Sequence, residues 1–172
     1  MVLRAKITIL GEPEVGKTSL ILKFVKNKFP TGYKPTLGAD FLLKNITSKE
    51  IPELGDKVVE LIIWDIGGQS SYEMDKMTDY YLQGSNAFIM IYDKTNKVSL
   101  KELDKWYKKI IKVCGKIPFL VVGNKMDLTN IEIDESTLKP YKRKWKTKFV
   151  ETSAKTGESV SDIFVEITRL LI

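Results

Sequence analysis

The chain has no histidine, a single cysteine and only three arginines among 172 residues. Without imidazole there can be no histidine base and no histidine-ligated metal centre. One cysteine, Cys114, excludes an internal disulfide and fits a reducing compartment, where such a thiol packs as a small hydrophobe. Arg4, Arg143 and Arg169 stand against 25 lysines in a net charge of +6. A nucleic-acid reader more usually interleaves arginine and aromatic residues for bidentate and stacking contacts, so no nucleic acid is expected. No run approaches the 18 apolar residues of a membrane span. Met1-Val2-Leu3-Arg4 does not read as a signal sequence, Val2 stands where myristoylation needs glycine, and Leu170-Leu171-Ile172 carries no cysteine for a prenyl group. The expectation is a cytoplasmic protein, peripheral to a membrane if a lipidated tail follows.

Apolar runs recur at 4–10, 40–47, 58–64, 87–92, 119–123 and 148–152. Most are the short, continuous runs that parallel sheets bury on both faces. Between them, helical patterns fit 17–27, 71–82, 99–114, 136–146 and 159–171. In the last of these Val160, Ile163, Phe164, Ile167 and Leu171 make one apolar stripe. Pro140 is tolerable only in the first turn of its helix, and Gly55 marks the turn of the one antiparallel hairpin. The alternation predicts an α/β fold: a doubly wound, mixed six-stranded sheet, five strands parallel and one antiparallel, with helices on both faces. Residues 1–172 suit a single domain burying roughly 70% of its unfolded surface.

The most informative segment follows the first strand: Gly11-Glu12-Pro13-Glu14-Val15-Gly16-Lys17-Thr18. A strand, a glycine-bounded turn and a new helix form a phosphate cradle. Its backbone N–H groups, running through Glu14, Val15, Gly16, Lys17, Thr18 and Ser19, point at phosphate oxygens. Lys17 reaches the β and γ phosphates, and the Thr18 hydroxyl suits Mg²⁺. Three further motifs fall at strand ends. Asp65, in Ile63-Trp64-Asp65-Ile66-Gly67-Gly68-Gln69, is placed to hold the same Mg²⁺, and the Gly68 amide to meet a γ-phosphate. In Gly123-Asn124-Lys125-Met126-Asp127, the Asp127 carboxylate can accept from guanine N1–H and its 2-amino group. Adenine offers neither donor and would leave that carboxylate unpaired. Ser153-Ala154-Lys155 can offer backbone N–H groups to guanine O6.

With these four motifs in series the chain resembles a Ras-superfamily small GTPase, most similar to the Rab branch, over essentially its whole length. Tyr33-Lys34-Pro35-Thr36-Leu37-Gly38-Ala39-Asp40-Phe41 resembles a Rab switch I, and Asp79-Tyr80-Tyr81-Leu82-Gln83-Gly84 the stretch after a Rab switch II. The resemblance implies that Thr36 ligates Mg²⁺ and binds the γ-phosphate, that Phe29 lies edge-on to guanine, and that Tyr33 lines the nucleotide. It also implies that Gln69 orients the attacking water and, with Lys17, forms the catalytic pair. The implied ligands are GTP or GDP and Mg²⁺. The implied partners are an activating protein, an exchange factor, and effectors that read switches I and II.

Four departures from the family pattern stand out. Pro13 and Glu14 occupy positions where Ras has two glycines; either they face solvent and only stiffen the loop, or they slow turnover. Asp65-Ile66-Gly67-Gly68-Gln69 is nearer the Arf version than the Rab one. The continuation from Ser70 to Met77 lacks the usual Rab charge pattern. Residues 49–57 lengthen the hairpin connection by about half a dozen residues relative to typical relatives. The leading reading is a GTP-hydrolysing molecular switch, in membrane traffic or signalling, slow alone and helped by an outside arginine, since none of its own lies in a switch. The alternative is a nucleotide-dependent binding module that barely turns over. The basic stretch 139–148 reads as solvated surface or as a weak acidic-membrane contact, and the protein is expected to be a monomer.

Overall fold

Strand β4 (Ala87–Asp93) is buried along its whole length. Ala87, Ile89 and Ile91 enter one apolar cluster while Phe88, Met90 and Tyr92 enter another. Burial on both faces is the signature of a central strand in a parallel sheet. The computed structural model describes residues 1–68 and 72–172, and for residues 72–74 the backbone only. It sets β4 among β1 (Val2–Leu10), β2 (Ala39–Ile46), β3 (Val58–Ile66), β5 (Phe119–Asn124) and β6 (Phe149–Glu151), in the order β2-β3-β1-β4-β5-β6. Only the β2–β3 pair is antiparallel. The mixed six-stranded sheet expected from the sequence is the one observed.

Helices α1 (Lys17–Lys26) and α6 (Val160–Arg169) cover one face, with Phe24 stacked on Phe164 at 4.0 Å. The other face is covered by α2 (Tyr72–Leu82), α3 (Lys97–Lys101), α4 (Leu103–Cys114) and α5 (Glu135–Trp145). There Leu82, Leu100, Trp106, Ile110, Leu138 and Trp145 close over Phe88, Met90 and Tyr92.

Three local expectations change. The helix expected at 99–114 starts earlier and is two helices. The Asn96 side chain accepts from the Val98 and Ser99 N–H groups and so caps α3, and the chain breaks at Glu102. Pro140 lies beyond the first turn of α5, not within it. Asp134 caps that helix, and Trp145 stacks on Phe149, so anchorage at both ends outweighs the one backbone hydrogen bond that proline forfeits. The 49–57 connection, expected only as a lengthened hairpin turning at Gly55, also feeds the core. Gly55 does turn with positive φ, but Pro52–Leu54 forms a 3₁₀ turn, and Ile51 and Leu54 are buried in the same core as Leu20.

Candidate guanine-nucleotide site

A cleft of about 890 Å³ opens at the carboxyl ends of the parallel strands. It is lined by the phosphate-loop turn, by residues 29–36, by Gly68, and by Asn124, Lys125, Asp127, Ala154 and Lys155. The glycines explain the turn. A Cβ on Gly11 would collide with the Ile91 carbonyl, and one on Gly16 with the Asn124 side chain. Gly16 has φ 98° and no side chain caps the start of α1, so the helix's first N–H groups are left for an anion. Glu14 takes φ 66°, a left-handed conformation costing about 1–2 kcal/mol outside glycine. That strain gives a physical reason for glycine at this position in Ras.

Lys17 is buried, and its Nζ donates to the carbonyls of Gly11 at 2.8 Å and Glu12 at 2.7 Å. Burial lowers its pKa to about 8, with the Asp65 and Glu12 carboxylates holding it up in part. An ammonium kept this dry, facing a polar cleft, is suited to an oxyanion.

Beside it three oxygens expected to ligate a metal converge. Thr18 Oγ1 lies 2.8 Å from Thr36 Oγ1, and Thr18 donates to Asp65 Oδ2, which also accepts from Thr36 at 3.4 Å. Asp65 Oδ1 is buried without a hydrogen-bond partner among the described residues. Burial raises the Asp65 pKa, and the Thr18 hydroxyl and Lys17 ammonium draw it back. Among the described residues no group of three His, Cys, Asp or Glu side chains could hold a metal alone. A donor set of two hydroxyls and an orphaned carboxylate oxygen therefore fits a hard, oxygen-seeking cation whose remaining ligands come from phosphate and water, as for Mg²⁺.

At the other end Asn124 ties the site together. Its Nδ2 donates to the Val15 carbonyl at 2.9 Å and its Oδ1 accepts from the Ala154 N–H at 3.0 Å. Ser153 Oγ donates to Asp127 Oδ1 at 2.7 Å, and Asp127 lines the cleft. Lys125 bridges to Asp93 Oδ2 at 2.7 Å. Burial pushes the Asp93 carboxyl up, but Lys125 and Thr95 outweigh it and hold it below the usual range.

Of the residues singled out from sequence, Glu14, Gly16, Lys17, Thr18, Ser19, Phe29, Tyr33, Thr36, Gly68, Asn124, Lys125, Asp127, Ala154 and Lys155 line the cleft. The Val15 side chain packs into the core instead, offering only backbone to the site. Ser153 is fully buried behind Asp127, and Asp65 borders a small neighbouring pocket with Thr18. Gln69 lies outside the described residues. The Gly68 expectation gains a different reason: a Cβ there would sit 2.5 Å from the Pro13 nitrogen. Leu22, Pro30, Thr31, Gly32 and Leu128 line the cleft without having been singled out, whereas Lys34 and Pro35 belong to the segment that resembles a Rab switch I. Residues 30–32 lack periodicity, and their turn-forming composition is their only signal.

This fold and this cleft define a phosphate-loop nucleotide-binding protein. A sequence model of the Ras family matches residues 6–172. The chain is 36% identical to GTP-binding protein yptV5 of Volvox carteri over 95% of this chain and 80% of that one. It is 34% identical to Ras-related protein Rab-18 of Lymnaea stagnalis, over 97% and 80% of the two chains. Against Ras-related protein RABG3b of Arabidopsis thaliana it is 32% identical over 97% and 83%. The chain belongs to the Ras family. It is a Rab-like GTPase that uses GTP or GDP with Mg²⁺. Among the described residues no helix is long and apolar enough to cross a membrane.

Proposed function

We propose that residues 1–172 act as one GTPase domain whose bound nucleotide sets the arrangement of residues 29–41 and of the chain around Gly68, and so controls which proteins bind. The observation that carries this reading is the junction of Thr18, Thr36 and Asp65, because it joins α1, the 29–41 segment and β3 at one carboxylate. Lys17 gives up its carbonyl partners for β and γ oxygens, and the first N–H groups of α1 take the phosphate chain. Mg²⁺, when bound, supplies positive charge across the β and γ phosphate oxygens. Asp127 selects guanine, and the Ala154 N–H, which donates to Asn124 Oδ1, is shared with guanine O6 when the base is bound. Thr36 and the Gly68 amide hold their segments in the triphosphate state and release them after hydrolysis. Gln69 orients the attacking water. Nucleotide released by denaturing freshly purified protein tests this directly. GTP or GDP, with release accelerated by EDTA, is expected; adenine nucleotide, or release indifferent to chelation, overturns it.

A partly exposed ring row offers the surface for effectors. Phe41 stacks on Trp64 at 5.3 Å and Trp64 meets Tyr81 at 6.0 Å, with Leu37 and Tyr80 exposed nearby in sequence. This row draws on both segments that flank the γ-phosphate side of the cleft, which fits a partner sensitive to nucleotide state.

One observation favours the second reading, a binding module that barely turns over. Pro13 lines the cleft and its ring lies against Gly68, where a Cβ would stand 2.8 Å from Pro13 Cδ. Single-turnover GTP hydrolysis decides between the two readings. A switch should turn over at about 10⁻³ s⁻¹ or below alone and slow further with Gln69→Leu. A binding module would show no measurable hydrolysis and no effect of that substitution.

The basic surface supports the acidic-membrane contact. Segments 97–116 and 134–148 hold thirteen basic and four acidic residues, a net +9 against +6 for the whole chain. Lys144 Nζ pairs with Asp104 at 2.6 Å, so the helices carrying these charges are neighbours. Sedimentation with vesicles containing anionic lipid, but not neutral ones, and loss of binding at high salt are expected.

A further inference from the structure

Among the described residues, Glu12 is the one phosphate-loop residue whose side chain is gripped by α4. The Trp106 indole Nε1–H donates to Glu12 Oε1 at 2.8 Å, and Lys105 Nζ lies 3.7 Å from the same oxygen. Trp106 is 4% exposed, and its ring belongs to the core between α4 and the sheet. The Glu12 main chain meanwhile does two things. Its carbonyl accepts from Lys17 Nζ at 2.7 Å. Its peptide to Pro13 lies against Gly68 so closely that a Cβ there would stand 2.7 Å from the Glu12 carbonyl carbon. One turn further along α4, Lys109 Nζ bonds Asp75 Oδ1 of α2 at 2.8 Å. A single rigid helix therefore holds both the phosphate loop and the helix that follows Gly68.

We infer that Trp106 is a positioning residue for GTP over GDP. By holding the Glu12 side chain it fixes the Glu12–Pro13 peptide, which is the surface that Gly68 rests on. Gly68 faces the γ-phosphate in the function proposed above, and the inference rests on that reading. When the tether is lost, Gly68 has no fixed seat, and contacts to the γ-phosphate weaken more than contacts to the diphosphate. Lys17 faces the phosphate chain in both nucleotide states, so any shift at Lys17 alters GTP and GDP alike.

Dissociation of fluorescent GDP and of a fluorescent non-hydrolysable GTP analogue, each chased with unlabelled nucleotide, tests this in the full chain. Trp106→Phe keeps an aromatic ring in the core but removes the donor along with part of the indole; Glu12→Ala removes the acceptor. Each should speed release of the GTP analogue roughly three- to tenfold, the range of one net hydrogen bond, with a smaller change for GDP. The double variant should be no faster than either single one, because both break the same tether. Glu12→Gln retains an acceptor oxygen and should restore release to near the unaltered rate. If Trp106→Phe does not fold, the contrast between Glu12→Ala and Glu12→Gln decides alone. Equal effects on both nucleotides, additive singles, or a Gln variant as fast as the Ala variant would overturn the inference. An unaltered protein that bound no guanine nucleotide would instead overturn the functional reading, and the inference with it.

Discussion

The side chain of Asn124, at the end of β5, holds the Val15 carbonyl with its amide nitrogen at 2.9 Å and the Ala154 N–H with its oxygen at 3.0 Å. Two chain segments that touch opposite ends of the nucleotide cleft are therefore joined through one buried amide. Removing it strands a buried carbonyl and a buried N–H, each costing about 1–3 kcal/mol. Asn124→Ala should lower unfolding free energy by about 2–4 kcal/mol in urea titration, and nucleotide release should accelerate in parallel. Unchanged stability would mean that water replaces both bonds.

Gly67 stands equally close to a neighbour. A Cβ on it would lie 2.5 Å from the Thr36 carbonyl oxygen and 3.1 Å from that of Gly38, whose oxygen already accepts the Gly67 N–H at 2.8 Å. This gives the first glycine of Asp65-Ile66-Gly67-Gly68 a physical reason where Rab proteins carry alanine. Gly67→Ala should push the Thr36 segment outward and destabilise the fold by about 1–3 kcal/mol. Its clearest mark would be a weaker Mg²⁺ dependence of nucleotide release, since Thr36 moves off Asp65.

Asp127 lines the cleft while Ser153 fixes one of its carboxylate oxygens. Asp127→Asn exchanges an acceptor for an amide that can also donate. Preference should move from guanine to xanthine nucleotide in a competition assay. A variant that still discriminated GTP from XTP as the unaltered protein does would remove Asp127 from the base site.

A pH effect is expected far from the cleft. The Thr137 N–H, with the Ser136 and Thr137 hydroxyls, bonds Asp134 Oδ1 at 2.8–2.9 Å and holds its carboxyl down to about 2, below the ordinary 3.8. Because the folded form binds its proton more weakly, this contribution is fully present above the unfolded pKa and is lost as pH falls toward 2. Asp134→Asn still caps α5 but does not titrate. The stability of the unaltered protein should fall relative to that variant between about pH 4 and 2, read as the difference in melting temperature. A constant difference would show that the cap contributes nothing pH-dependent.

Much of this was legible beforehand, for identifiable reasons. The strands were readable because buried parallel strands need continuous apolar runs, and β4 is such a run. The cleft was readable because each motif sits where a strand hands the chain to a turn. The helix expected at 99–114 differs because its apolar pattern runs on across the break at Glu102, and it starts earlier because the Asn96 side chain caps Val98 and Ser99. Pro140 was misplaced because local propensity ignores the packing of Trp145 on Phe149.

Strand–helix alternation, the phosphate loop and the order of the guanine-reading motifs follow from the amino-acid sequence alone. Those features rest on residues near one another in the chain, where periodicity and turn chemistry are local. Only the tertiary structure decided that Glu12 meets Trp106, that Asn124 bridges Val15 and Ala154, and that Ile51 and Leu54 of the long connection turn into the core. The first of these partners are 94 positions apart. No local rule pairs side chains across such a distance; it takes a folded sheet, with its helices packed down, to bring them together.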